Sequence, residues 1–368
     1  MAALSQRQVL DQHADTSPDS QREPQDSPHI ETVRQARRKD SRRTRVVLPS
    51  LLFAVVVLFF VNILLGTYTV TIPDFFRLLG GAEIPGASFI VMEHKLPRAV
   101  VAVMIGVAFG VSGTIFQTML RNPLASPDII GITYGASASA VFAIVVFGAA
   151  GLSVSIAALI GALVIAAAIY ALSRRGGVAG YRLILVGIGF AAIMAAAVSY
   201  LLTRTDINTA QDALVWMNGS LNSSNWDRAF ILGVSLLVLL PLATVLSRSL
   251  RGLEMGDDAA AGLGVRVEKS RLLLVLAGVA LAAVATAAAG PVAFIAFLSG
   301  PIARRALGGK ASLTAAALIG ALIVLAADFV AANMIPGVSL PVGVITGAMG
   351  APFLLWLLVS ANRNGTAG

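Results

Sequence analysis

The chain has 368 residues, no cysteine and only three histidines, His13, His29 and His94. Disulfides and thiolate metal sites are therefore excluded. Two of the histidines lie in the N-terminal tail, which leaves no basis for a multi-histidine metal centre. Charge is scarce as well. Asp, Glu, Lys and Arg make up 12% of the residues, against about 25% in an ordinary soluble domain. The sequence has no GxxxxGK[ST] phosphate loop, no HExxH helix and no Ser/His/Asp set. An enzyme is not expected, and neither is a cofactor bound by this chain. If it pumps, the energy must come from a partner.

What the chain has is apolar sequence, 57% of the total. We read it as an all-α, polytopic membrane helix bundle. Its spans fall at about 46–66, 98–120, 129–147, 153–172, 181–202, 229–247, 271–289, 292–307, 312–332 and 341–359, each close to the roughly 20 residues that cross a bilayer as a helix. The membrane domain is 46–360, and 361–368 is a short C-terminal tail. Residues 1–45 are polar, contain Pro18, Pro24 and Pro28, and lack an apolar face. They read as a disordered tail, and the polar stretch before the first apolar run excludes a signal peptide.

The net charge of +8 invites a nucleic-acid reading, but its distribution argues for a membrane one. With the N-terminus inside, only Arg77, Lys95, Arg98, Arg204 and Arg228 fall outside. The rest of the 27 Lys and Arg collect in the tail and the loops on the inner side, as the positive-inside rule requires. Ten spans with both termini cytoplasmic make a coherent topology. The basic cluster from Arg34 to Arg45 holds the N-terminus inside and can touch anionic membrane lipid.

Small residues punctuate the spans, with Gly106, Gly110 and Gly113 in the second and Gly187 and Gly189 in the fifth. They allow close helix approach. Two carboxylates fall within the spans, Asp128 and Asp328. Ionisable groups at membrane depth raise the possibility of ion coupling, hence a secondary transporter. The plainer readings are a helix-start carboxylate for Asp128 and a bond to a neighbouring helix for Asp328.

One stretch organises the rest, KLPRAVVAVMIGVAFGVSGTIFQTMLRNPLASPDIIGITYGA from Lys95 to Ala136. An uncharged apolar run ends at Asn122, Pro123 and Pro127, and a glycine-rich return follows. Prolines cannot continue the helix. Broken backbone at membrane depth survives only against protein or a water-filled cavity, which makes the break either a transport path or a polar loop with a helix stop. The loop SRSLRGLEMGDDAAAGLGVRVEKSR, 247–271, carries Glu254, Asp257 and Asp258 ahead of a basic run. That order suits a short helix able to dock in a groove on another protein, and it also suits a solvated loop.

The pattern LPR…GxxxxxSGxxFQxxxRNPLASPDxxG resembles the iron–siderophore and vitamin B12 permease family of ABC importers, the FecCD/BtuC type. The loop at 254–264 is similar to that family's coupling segment G-x-x-x-A-x-x-L-G, with Gly256, Ala260, Leu263 and Gly264 matching; Asp258 stands where Glu is usual, and Ala261 where a polar residue is common. AGPVAFIAFLSGPIARRALGG, containing Arg304, and LPVGVITGAMGAPFLLWLL from Leu340 resemble two further family segments. The resemblance implies a type II importer permease in the cytoplasmic membrane. Two permease subunits, from the same or a related chain, would work with two ATP-binding subunits that hold ATP and Mg. An extracytoplasmic siderophore-binding protein would deliver the cargo.

By position, the resemblance makes Glu254, Gly256, Asp257, Asp258, Ala260, Leu263 and Gly264 the ATPase-coupling residues. Lys95 and Arg98 match the basic positions that receive acidic residues of the binding protein; interfacial snorkelling is their alternative. Ala332 stands where some members have a further basic residue. Asn122, Pro123 and Leu124 match the constriction of the path. Trp216 and Asn218 lie in a W-M-x-G-x-L pattern at the outer vestibule, although Trp216 and Trp226 also suit interfacial anchors. The implied cargo is a ferric siderophore, with cobalamin or haem as the alternative.

Overall fold

Apolar runs without internal breakers become helices, and prolines, glycines and polar clusters decide where those helices stop. The computed structural model describes residues 28–173, 180–334 and 339–365, with side chains left out at 28–40, 180, 357, 358 and 360–365. Residues 1–27, most of the tail expected to be disordered, and 366–368 lie outside the described residues. Met1–Arg45 and Val46–Gly368 form separate compact units.

The chain begins with α1 (Pro28–Leu64) and α2 (Ile72–Leu79). A continuous helix, Ala87–Met119, then comprises α3 (Ala87–Phe89), a π-helical turn at Ile90–Lys95 and α4 (Leu96–Met119). α5 (Ile132–Phe147), α6 (Leu152–Ser173), α7 (Gly180–Arg204), α8 (Ile207–Met217) and α9 (Trp226–Glu254) follow. The short α10 (Asp257–Gly262) leads to α11 (Val267–Ala289), α12 (Ile295–Ala306), α13 (Leu313–Asn333) and α14 (Val342–Gly365). No strand occurs among the described residues.

Among the described residues, seven helices are long and apolar enough to cross a membrane: Ser41–Leu64, Ala87–Met119, Leu152–Ser173, Tyr181–Arg204, Trp226–Glu254, Val267–Ala289 and Leu313–Asn333. α5 and the Val342–Trp356 part of α14 are apolar but shorter. α5 loses its expected first residues to a turn at Gly131, whose φ is +86°. α12 has 12 residues because Phe294, at φ +66°, separates it from Gly290-Pro291.

Parts of the two expected tails are helical. The tail was read as unstructured through 45, yet it is helical from Pro28. Pro is tolerated in a first turn, and no Pro or Gly interrupts residues 29–48. The 361–368 tail likewise begins as the end of α14, which runs to Gly365.

The second apolar run starts at Ala87 rather than 98, because a π turn carries the helix through Pro97. Leu96 N–H bonds to the Val91 carbonyl, an i→i−5 step. In that register residue 97 would donate to the Met92 carbonyl, but Pro97 has no N–H to give. The indole Nε1–H of Trp226 donates to that carbonyl instead, at 2.8 Å.

α4 is the most buried of the long apolar helices, and its glycines are the reason. A Cβ on Gly106 would lie 2.4 Å from the Gly320 carbonyl oxygen of α13, and one on Gly113 would lie 1.8 Å from the Ala296 carbonyl oxygen of α12. Backbone therefore meets backbone, as small residues permit in membrane bundles. Gly187 of α7 abuts the Ile130 carbonyl in the same way, whereas Gly189 has open space around it.

Candidate functional site

The residues singled out in the sequence gather at the two ends of α4. At the first end, Arg98 sits in the first turn of α4 and Asp328 lies late in α13. Arg98 Nε donates to both Asp328 carboxylate oxygens at 3.1 and 2.9 Å, and Nη2 donates to Oδ1 at 2.8 Å. The Asp328 side chain is 3% exposed and that of Arg98 22%. This bidentate geometry is the strong form of the carboxylate–guanidinium pair. Asp328 is thereby accounted for as the partner of Arg98 on a neighbouring helix.

Lys95 also has internal partners. Its Nζ donates to the carbonyls of Ile63, Leu65 and Tyr68 at 3.1, 2.8 and 2.6 Å. It thus closes the C-terminus of α1, where backbone carbonyls lack intrahelical donors. A cavity of about 220 Å³ opens beside these groups, lined by Asn62, His94, Lys95, Arg98, Asn222 and Asp328, with Ala332 also on its wall. The two basic residues matched to binding-protein docking therefore also have partners within the bundle. Both hold the bundle's own groups at the edge of an open, polar cavity.

Between α8 and α9, Trp216 is half-buried and Asn218 exposed. Three of the quoted motifs meet here through backbone alone. Ser220 N–H donates to the Ala289 carbonyl at 2.8 Å, and Gly343 N–H to the Gly219 carbonyl at 3.2 Å. A Cβ on Gly343 would lie 1.9 Å from the Asn218 carbonyl oxygen. Gly219 and Gly290 take positive φ, +64° and +76°, which glycine adopts without penalty.

At the second end, α4 stops at Met119 and the break begins with Arg121 at φ +50°. Asn122 N–H donates to the Gln117 carbonyl at 3.0 Å. The Asn122 side-chain oxygen accepts from Leu124 N–H at 2.9 Å, an Asx turn that stands in for the helix bonds Pro123 cannot make. Pro123 is exposed and Leu124 half-buried. Asp128 accepts from Thr133 Oγ1–H at 2.6 Å, a local bond at the start of the return into α5.

The 247–271 loop is helical at its centre. Gly256, at φ +110°, separates α9 from α10. Ala260 is buried, while Asp258, Leu263 and Gly264 are exposed; Leu263 shows 66% of its surface. Asp257 is held by Arg271 Nη2, at 2.9 Å to each carboxylate oxygen. Glu254 closes α9 and pairs with Arg304 Nη1 at 3.2 Å. Arg304 Nη2 donates to Thr118 Oγ1 at 2.7 Å. The 247–271 loop and the break after α4 are thus neighbours, although Thr118 and Arg271 carry no signal in the sequence that names them. Their roles follow only from which side chains they reach.

Among the described residues, no group of three or more His, Asp or Glu is placed to hold a metal ion. The arrangement therefore offers helix packing, a polar cavity at one end of α4 and an exposed short helix at the other.

The comparisons with known proteins agree with this architecture. Residues 54–360 match the model of the FecCD transport family. The chain belongs to the FecCD transport family. It is 40% identical over 324 residues to the ferric enterobactin transport system permease protein FepG of Escherichia coli, covering 88% of this chain and 98% of that one. It is 41% identical over 288 residues to the achromobactin transport system permease protein CbrC of Dickeya dadantii, covering 77% and 82%. Among solved structures, an inward-facing metal-chelate type ABC transporter superposes with a TM-score of 0.75 at 25% identity, over 85% of this chain and 99% of that one. As a FecCD-family chain, this is a multi-pass membrane protein and a transport permease subunit. The secondary-transporter reading of Asp128 and Asp328 falls away.

Proposed function

We propose that this permease is the membrane subunit of an ATP-driven importer that carries a ferric siderophore across the cytoplasmic membrane. The observation that carries the reading is the family match across residues 54–360, which takes in both ends of α4. Relatives named for ferric enterobactin and achromobactin transport support an iron-chelate cargo. The cargo arrives already chelated, so the chain needs no iron ligands of its own.

In this reading the bundle has ten spans, formed by the seven long apolar helices together with α5, α12 and α14. Both termini are cytoplasmic. Two such permeases, from the same or a related chain, flank the path, and two ATP-binding subunits hold ATP and Mg. α10 docks on an ATP-binding subunit through Leu263 and Gly264, with Asp258 exposed beside them and Ala260 packed inward. Its exposed Leu263, with Met255 exposed just ahead of the same short helix, suits a hydrophobic groove. A binding protein approaches the Lys95 end, where the cavity at Lys95, Arg98 and Asp328 presents polar groups to it. Asn122, Pro123 and Leu124 narrow the path toward the cytoplasm, and Trp216 and Asn218 face the outer vestibule.

The test is co-purification from the native host in mild detergent. An ATP-binding subunit is expected to accompany the chain and to be lost when Leu263 and Gly264 are both replaced by Asp. Uptake in proteoliposomes should require ATP and be stopped by vanadate, with a ferric siderophore, haem and cobalamin offered in parallel to sort the cargo. A chain that emerges alone from several mild detergents would overturn the importer reading.

A further inference from the structure

A guanidinium fork has two faces and can hold two acceptors at once, which a lysine ammonium on a flexible stem does with far less geometric control. Arg304 uses its fork in this way. Nη1 reaches Glu254, the last residue of α9, at 3.2 Å. Nη2 reaches Thr118 Oγ1, in the last turn of α4, at 2.7 Å. The two acceptors belong to different parts of the molecule. Glu254 stands directly before Met255 and Gly256, the joint that releases α10. Thr118 is buried and stands one turn before the break, where Arg121 N–H donates to the Thr118 carbonyl at 3.2 Å.

The base of Arg304 is fixed to α4. α12 lies on α4 so closely that a Cβ on Gly113 would meet the Ala296 carbonyl, and one on Gly300 would meet Gln117 Oε1. Gln117 Nε2 donates to the Phe297 carbonyl at 3.0 Å. α12 is therefore seated on α4 through Gly113, Gln117 and Gly300, which holds Arg304 within reach of both Thr118 and Glu254. Gly256 also lies close to the break, since a Cβ built on it would stand 3.4 Å from Arg121 Nη1. The Glu254–Arg304 pair is also accessible. Its side chains are 35% and 30% exposed, and Thr118 borders a cavity of about 280 Å³ with Thr114, Thr244, Ser247 and Arg251 on its wall.

We infer that Arg304 is the positioning residue that transmits displacement of α10 to the break at Arg121–Asp128, by tying Glu254 to Thr118. The inference rests on the importer reading and adds a route between its two working parts. α10 moves when the ATP-binding partner closes, Glu254 moves with it, and the fork pulls on the last turn of α4. The second ion pair of the loop, Asp257 with Arg271, anchors α10 to α11 and is not part of this route.

The experiment uses the assembled transporter in proteoliposomes, with ATP hydrolysis and cargo uptake measured on the same vesicles. Wild type that shows no ATP-dependent uptake would sink the importer reading itself. Given coupled wild type, Arg304→Gln is expected to keep hydrolysis while uptake per ATP falls about tenfold, the usual size of a coupling lost between two sites. Arg304→Lys should fall nearly as far. Thr118→Val should lower the same ratio and Thr118→Ser should restore it, and these two variants decide the matter if Arg304→Gln fails to assemble. The double reversal Glu254→Arg with Arg304→Glu should recover part of the ratio, because the Thr118 hydroxyl can donate to a carboxylate. Wild-type ratios in Arg304→Gln or in Thr118→Val would overturn the inference. So would hydrolysis and uptake that fall together in an assembled complex, the mark of a merely structural residue.

Discussion

The two ends of α4 each carry an arginine–carboxylate pair, and the two pairs are built for opposite purposes. Arg98 and Asp328 share three N–H···O bonds with the carboxylate almost wholly buried. Glu254 and Arg304 share a single contact, and both side chains are about a third exposed. Removing one partner of a buried pair costs about 3–5 kcal/mol, because the other charge is stranded. Removing a partner from an exposed pair costs about 0–1 kcal/mol. The first pair therefore fixes α4 to α13, and the second can open during a working cycle. Rigidity at one end gives the other end something to move against.

The largest expected effect comes from attacking what joins the two ends, the close packing of α4 itself. Gly113→Val would drive a branched side chain into the Ala296 carbonyl of α12. Neither backbone can yield cheaply, and overpacking typically costs about 1–3 kcal/mol and sometimes more. The yield of monodisperse protein after detergent extraction should collapse. A normal yield would mean that α12 is free to shift, and Arg304 would then lose its fixed base.

Next comes the fixed pair. Asp328→Ala should lower the thermal midpoint in detergent strongly, by the equivalent of about 3–5 kcal/mol. Arg98→Leu combined with Asp328→Leu should recover most of that loss, since nothing charged is left buried. If the single and double variants melt alike, the pair contributes little and the contrast between the ends disappears. Glu254→Gln should sharpen the contrast from the other side, with a melting shift worth about 1 kcal/mol or less. A shift as large as that of Asp328→Ala would show the second pair to be as fixed as the first.

How far this was legible in the sequence depended on distance along the chain. The apolar runs fell where the helices are, because burial in lipid leaves little choice but an unbroken apolar stretch. The break after α4 was visible in Pro123 and Pro127, and α10 in the order of its charges. The helix at Ala87–Lys95 was not legible. Pro97 reads as a helix start, and only the i→i−5 turn with the distant Trp226 indole lets the helix run through it. The partner of Arg98 lies 230 positions away, and that of Thr118 lies 186 away. No local period links such residues, so the sequence names neither Asp328 as the partner of Arg98 nor Arg304 as that of Thr118.

The smallest prediction concerns α8, between α7 and α9. Asp206 caps it, accepting from the backbone N–H groups of Thr209 and Asn208 at 3.0 Å each. The Thr209 bonds above all hold its carboxyl below the ordinary range. A depressed carboxylate stabilises the cap above its unfolded pKa, and that contribution is lost as pH falls through the lower folded value. Hydrogen exchange at residues 207–210 should therefore speed up at acid pH in wild type, after allowing for intrinsic rates. Asp206→Asn should remove the pH response while keeping much of the cap. An unchanged response in the Asn variant would place the titrating group elsewhere.

The π turn at Ile90–Lys95 has a consequence for chain length. Such a turn is an α-helix holding one residue more than its hydrogen-bond register needs. Deleting one residue from that turn upstream of Lys95, Val91 for instance, would let the helix close into ordinary register without disturbing anything from Lys95 onward. Azimuth would change little: the residue removed is the one the widened turn had absorbed, so Ala87–Phe89 would keep facing the same way about the axis. A change of one residue at this point is therefore taken up inside the turn, and the segments on both sides of it keep their faces.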